Sequence, residues 1–139
     1  MKIKKILLLL LIWPLLGINR FIILFIPFRR IAPKMGQEMV AVDVTYTKQS
    51  INRSKVIGRL IISASKRTPW QSKCFVQALT GIELMWLFKL PYTLYFGIRR
   101  GDEAKRLEAH AWLKHGDLFV TGYAGHDLFH PVAWYGKVL

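Results

Sequence analysis

Cys74, the only cysteine, lies directly before an apolar run from Phe75 to Leu90. We predict that this run is a helix, with Ser72 as its N-cap and an end at the following proline. A thiol in the first turn lies at the positive end of the helix dipole, and the neighbouring Lys73 adds a cation. Both favour the thiolate, which is the form of cysteine that attacks carbonyl groups. Cys74 is therefore the candidate nucleophile.

A histidine follows on a predicted strand, Ala109 to Lys114. Strand alternation predicts that His110 shares a face with Trp112 and points at the start of the cysteine helix, while Leu113 faces away. His110 is then the candidate general base, which takes the thiol proton and later gives one to the leaving amine. A lone cysteine is more often a small buried hydrophobe, and a lone strand histidine is more often structural.

A cysteine–histidine site usually includes a third group that orients the imidazole. If Lys114 pairs with Leu118 across the predicted turn, His110 lies opposite Gly122, which has no side chain. Asp127 is the candidate third member, with Thr121 or a backbone carbonyl as alternatives. The oxyanion would be bound by backbone N–H groups at the helix start, including that of Cys74, and Gln71 is a second, weaker candidate donor.

Three further histidines raise the question of a metal site. His115, His126 and His130 lie in loop-like sequence without Cys or Glu at ligand spacing, so we expect no metal. We also expect no bound nucleotide, because the chain has no glycine-rich phosphate loop.

The other elements follow from hydrophobic periodicity. A helical stripe runs from Ile51 to Lys66, with Ser50 or Asn52 as its candidate N-cap. Residues 92–99 alternate as a half-buried strand. Residues 109–114 and 118–123 form a hairpin about Gly116 and Asp117. The three strands are predicted to make an antiparallel sheet against the cysteine helix, which is an α+β fold.

The order of these features resembles the leader peptidases of lasso-peptide biosynthesis, which are transglutaminase-like and related to papain-type cysteine proteases. The resemblance covers nearly the whole chain. It rests on the following residues: Pro27-Phe28-Arg29-Arg30, Pro69-Trp70, Cys74-Phe75, the Leu-rich helix, Gly97-Ile98-Arg99 and Ala109-His110-Ala111-Trp112. The family places an aspartate late in the strand after the histidine strand, and this chain departs from that pattern at Gly122.

The resemblance implies a hydrophobic helical segment at 1–36 and a transglutaminase-like (papain-like) cysteine peptidase domain at 37–139. It implies removal of the leader peptide from a ribosomal precursor, with no cofactor. It also implies three partners, namely the precursor, a separate leader-recognition protein and a lasso cyclase. Two alternatives stay open: a membrane-anchored binding protein without chemistry, and the same fold performing amide transfer or deamidation.

The formal net charge of +13 suits nucleic acid, an anionic membrane or an acidic protein partner. No nucleic-acid module accompanies the charge, so we expect no nucleic acid. Residues 6–28 are nearly all apolar and long enough to span a bilayer, although Pro14 and Asn19-Arg20 interrupt them. We therefore expect a cytoplasmic protein that contacts a membrane through this segment or packs it on the domain.

Overall fold

The computed structural model describes residues 2–42, 46–101 and 106–138. The helices are α1 (Lys2–Phe25), α2 (Phe28–Met35), α3 (Lys48–Ser65) and α4 (Cys74–Leu87), with a 3₁₀ helix at His126–Leu128. The strands are β1 (Gln37–Glu38), β2 (Tyr92–Arg100), β3 (Leu107–His115), β4 (Leu118–Thr121) and β5 (His130–Lys137). The predicted α+β class is confirmed.

The strands form one antiparallel sheet in the order β1-β5-β2-β3-β4. The three predicted strands are neighbours in it, but β5 was not predicted and pairs along most of β2. Its sequence begins His130-Pro131, and proline is unusual in a central strand because it cannot donate to the ladder. A register shift between Phe96 and Gly97 accommodates Pro131 opposite Gly97.

Helices α3 and α4 cover one face of this sheet. The face carries Leu94, Ala111 and Leu113, which are almost fully buried. Helix α4 is buried on most sides, as a nearly uniform apolar sequence predicts. It ends at Leu87 rather than at Leu90, and the chain leaves it through Lys89, which has a φ of 54°.

Helix α3 begins earlier than predicted. Its N-cap is Thr47, whose side chain accepts a hydrogen bond from the backbone N–H of Ser50 at 3.0 Å, so a cap at Ser50 or Asn52 is wrong. A Cβ on Gly58 would lie 2.3 Å from the carbonyl oxygen of Val120 in β4. Glycine therefore allows α3 to approach the edge of the sheet closely.

The opposite face of the sheet is also covered. The backbone N–H of Val42 donates to the hydroxyl of Thr93 at 3.0 Å, and Thr93 is buried. Farther along β2, Phe129 and the ring of Trp112 lie over Gly97. The sheet is thus half enclosed by irregular chain on the side away from the helices.

The N-terminal segment packs on the domain. Helix α1 contacts α3 and α4, and its Ile12 and Leu16 belong to the core. The stretch Ile3–Phe25 is also long and apolar enough to cross a membrane, and only 17% of it is buried. The division at residue 36 stays a prediction, since α1 and α4 share one core.

Candidate active site

Cys74 lies in the first turn of α4, as predicted, and is its first residue, but the helix is capped differently. The N-cap is Lys73 in an extended conformation, and no side chain caps the helix. The predicted cap at Ser72 is wrong, because the Ser72 hydroxyl lies 2.8 Å from the Thr68 hydroxyl instead. Within the part of the chain that the structure describes, the N–H groups of the first turn of α4 therefore have no side-chain acceptor, which suits a site that binds an oxyanion.

Hydrogen bonds fix the turn before Cys74 on both sides. The Thr68 hydroxyl donates to the carbonyl of Trp70 at 2.9 Å, and the Gln77 side chain donates to the carbonyl of Ser72 at 2.9 Å. Gln71, the second candidate for an oxyanion donor, is exposed. The thiol is partly buried and packs against the core, so its position is defined by a rigid helix start rather than by a mobile loop.

His110 lies on β3 opposite Gly97, between two aromatic rings. Its ring centroid is 5.1 Å from that of Phe129 and 5.8 Å from that of Trp112. Nε2 lies 2.7 Å from the carbonyl oxygen of Gly122. A carbonyl oxygen only accepts, so Nε2 carries the proton and Nδ1 of the neutral ring is the basic nitrogen.

The hydrogen-bond partner of the imidazole in the described residues is therefore a backbone carbonyl. Asp127 lies in the 3₁₀ helix with an exposed side chain, and no hydrogen bond joins it to His110 in the described residues. The predicted register is also wrong: His115 pairs with Leu118, and a bulge follows. Gly122 then lies beside Trp112, yet its carbonyl still reaches the imidazole.

The two faces of β3 point in the opposite directions to those predicted. A Cβ on Gly81 of α4 would lie 2.6 Å from Cδ2 of Leu113, so Leu113 faces the helix. Strand alternation then directs His110 to the other face, beside Trp112 and Phe129. The face of β3 that packs on α4 is thus the apolar one, with Ala111 and Leu113, whereas His110 shares the other face with Glu108, Trp112 and Lys114. Among the described hydrogen bonds, none joins Sγ of Cys74 to the imidazole.

The other histidines have local structural contacts. Nδ1 of His115 donates to the carbonyl of Pro91 at 2.6 Å, and Nε2 lies 2.9 Å from the Ser50 hydroxyl oxygen. Burial lowers the pKa of His115, so the neutral ring is favoured. His126 lies 2.6 Å from the carbonyl of Tyr123. The residues that the structure describes contain no group of three potential metal ligands.

Sequence reasoning offered a backbone carbonyl only as an alternative partner of His110, and it missed Phe129. A carbonyl acceptor leaves no trace in side-chain types, and Phe129 reaches His110 only because β5 adds to the sheet. The Gly97 position, by contrast, was part of the Gly-Ile-Arg motif. Its lack of a side chain makes room for the rings of Trp112 and Phe129.

Comparison with known proteins gives one family. The family model described as the transglutaminase-like superfamily, which includes cysteine-protease enzymes, matches residues 23–133. Neither the curated proteins nor the solved structures contain a significant match. The matched region begins in the last turns of α1 and includes both Cys74 and His110. The chain belongs to the transglutaminase-like superfamily.

Proposed function

We propose that this protein is a cysteine peptidase that removes the leader from a lasso-peptide precursor, with Cys74 as nucleophile and His110 as general base. The main support is the hydrogen bond from Nε2 of His110 to the Gly122 carbonyl. It leaves Nδ1 as a base in a transglutaminase-like chain whose only cysteine begins a helix. The substrate class comes from the order of the sequence motifs.

The chemistry would proceed in two halves. Nδ1 of His110 takes the thiol proton, and the Cys74 sulfur attacks the scissile carbonyl carbon. Collapse of the tetrahedral adduct breaks the C–N bond, the imidazolium gives its proton to the leaving amine, and a thioester remains. In the second half, Nδ1 of His110 takes a proton from a water molecule whose oxygen attacks the thioester carbonyl. Collapse of this second adduct breaks the C–S bond, His110 gives the proton to the sulfur, and the leader leaves with a new carboxylate. Backbone N–H groups at the start of α4 would bind the oxyanion in both halves.

The mechanism requires the sulfur and Nδ1 to meet in the complex with the substrate. They are not hydrogen-bonded in the free chain, and β3 directs the imidazole to the sheet face away from the body of α4. Catalytic hydrogen bonds often form only in the substrate complex. A His110→Cys variant measures this approach, because a disulfide with Cys74 needs Cβ atoms within about 4.5 Å. We expect this disulfide to form when the precursor is bound.

The decisive experiment is incubation of precursor and recognition protein with wild type, Cys74→Ala and His110→Ala, followed by mass spectrometry. Loss of leader release in both variants is expected. Asp127→Asn is the matched control and should cleave at the wild-type rate, because the Gly122 carbonyl holds the imidazole. Full activity of Cys74→Ala would refute the peptidase and favour a binding protein without chemistry.

The second candidate is amide transfer or deamidation by the same residues. The observation in its favour is the family itself, which is described by its likeness to transglutaminases. Product mass separates the two reactions, because hydrolysis releases a free leader whereas transfer joins the acyl group to an amine.

The proposed partners are the precursor, a separate leader-recognition protein and a cyclase. The excess of basic residues suits an acidic leader or an acidic partner. Leader cleavage measured against ionic strength tests this, and a rate independent of salt would count against it.

A further inference from the structure

Helix α1 has one face that is fixed to the domain. Ile12 and Leu16 are fully buried, and Asn19 is 3% exposed. The Asn19 side-chain amide donates to the Thr80 hydroxyl at 2.9 Å and also to the Glu83 carboxylate, both on α4. These polar contacts hold α1 lengthwise against α4, because breaking them would leave buried groups without partners.

The other face of α1 is a continuous apolar surface, which we name the α1 stripe. Its side chains follow the helical period in two groups, residues 3–10 and 18–25, with the exposed Pro14 between them, so they lie along one side of the helix. Each is between 53% and 73% exposed, and the members are Ile3, Ile6, Leu7, Leu10, Ile18, Phe21, Leu24 and Phe25. A row of this kind on an otherwise folded domain marks an interaction surface.

The charges around the α1 stripe are of one sign. Residues 1–36 and 48–73 carry 14 of the 21 basic residues and none of the eight acidic residues. Lys4 and Lys5 lie at one end of the stripe, and Arg29 and Arg30 follow its other end. The rest of the chain holds seven basic and eight acidic residues. The net positive charge of the protein is thus concentrated in residues 1–36 and 48–73, which contain α1, α2 and α3 and which we call the helical side.

We infer that the α1 stripe lies in the plane of an anionic membrane surface, with the basic residues of the helical side on the lipid headgroups. A helix with a fully apolar face and flanking Lys and Arg residues binds membranes in this way. A second copy of the chain is a poor occupant, because pairing two such faces would bring two strongly basic surfaces together.

The contacts of α1 also argue against a helix that crosses the bilayer. To span, α1 would leave α3 and α4, and its Asn19 would lose the hydrogen bonds to α4. Arg20 would enter the hydrocarbon as well. An in-plane helix keeps all of these contacts and needs only its exposed face to enter the headgroup region.

Helix α1 also contacts the segment that precedes Cys74. A Cβ on Gly17 would lie 2.9 Å from the ring of Trp70, and the rings of Trp13 and Trp70 are 4.8 Å apart. Trp70 belongs to the turn that Thr68 and Ser72 fix before α4. Membrane binding through α1 would therefore place the start of α4 near the lipid surface, whatever reaction Cys74 performs.

Flotation with sealed vesicles tests the inference. The purified full chain should float with vesicles of phosphatidylglycerol and phosphatidylcholine and much less with phosphatidylcholine alone. Leu10→Gln with Phe25→Gln should lower the partition coefficient at least about tenfold, because two exposed apolar side chains are removed from the stripe. The matched control is Leu107→Gln with Val138→Gln, two side chains of similar exposure (67% and 64%) that should leave binding unchanged.

The electrostatic part has its own pair of variants. Lys4→Gln with Lys5→Gln should weaken binding to the anionic vesicles by on the order of tenfold, since each basic residue near such a surface contributes about 1 kcal/mol. Arg100→Gln with Arg106→Gln, at the β2–β3 end of the sheet, should have little effect. If both pairs of variants lose the same amount of vesicle binding, the inference that the basic residues beside the α1 stripe make the contact is overturned.

Two further outcomes would overturn the in-plane helix. Protection of an N-terminal tag from protease added outside the vesicles would show a spanning helix, whereas we expect full cleavage. Stable dimers in sedimentation velocity without lipid, lost in the Leu10→Gln/Phe25→Gln variant, would assign the stripe to self-association. Circular dichroism of every variant establishes that it is folded, so a loss of binding reports the surface.

Discussion

Gly122 offers the sharpest test of how the imidazole is held. Its φ is +81°, and a Cβ there would lie 2.3 Å from the carbonyl oxygen of Ala111 and 2.7 Å from Cα of Trp112. Gly125 has nearly the same conformation, with a φ of +77°, but a Cβ there would meet nothing within 4 Å. The pair Gly122→Ala and Gly125→Ala therefore separates steric overlap from backbone strain.

The expected magnitudes follow from those two terms. The left-handed conformation costs an alanine about 1–2 kcal/mol, and the lower entropy of the unfolded chain returns about 0.4–1 kcal/mol. Gly125→Ala should thus lose about 1 kcal/mol of unfolding free energy. Gly122→Ala adds the overlap with β3 backbone, about 1–3 kcal/mol for an overpacked site, for a total of about 2–4 kcal/mol.

Urea unfolding followed by tryptophan fluorescence measures both losses, and the slope with denaturant should not change. Nitrogen NMR of the imidazole adds a local readout, because Gly122→Ala moves the carbonyl that fixes the proton on Nε2 of His110. If the two variants lose the same unfolding free energy to within about 0.5 kcal/mol, the close packing of Gly122 on β3 is refuted. An unchanged tautomer in Gly122→Ala would show that the carbonyl does not select it.

Two predictions concern buried polar groups. Burial raises the pKa of Glu83, against the hydrogen bond from Asn19, so the folded chain retains this proton to higher pH than the unfolded chain. Unfolding free energy should fall as the pH rises above the unfolded value near 4.5, and Glu83→Gln should lose that part of the pH dependence; identical curves would contradict this. Tyr92 donates to the Met35 carbonyl at 2.7 Å and accepts from Nε1 of Trp86 at 3.1 Å, so Tyr92→Phe should lose about 1–3 kcal/mol in the same urea assay. Burial also raises the pKa of Tyr92 to about 12, and an ordinary phenol titration of this residue would show that it is not enclosed.

The local elements were predictable because they depend on neighbours in sequence. The apolar run after Cys74 gives α4, and alternation gives β2 and β3, since a 3.6-residue or two-residue period is visible in the sequence. The predicted helix ends were less accurate than the predicted elements. Thr47 and Lys73 are the caps in place of serines that bond elsewhere, because a capping hydroxyl has several acceptors within reach.

The amino-acid sequence by itself determined the α+β class, the place of Cys74 at a helix start and of His110 on a strand. Only the tertiary structure decided that β5 enters the sheet, that Leu113 rather than His110 faces α4, and that a carbonyl orients the imidazole. These features depend on which apolar face is covered by which distant segment. The segments that contact His110, at Gly122 and Phe129, leave no signal in the sequence pattern of β3, and a backbone carbonyl is present in every residue type.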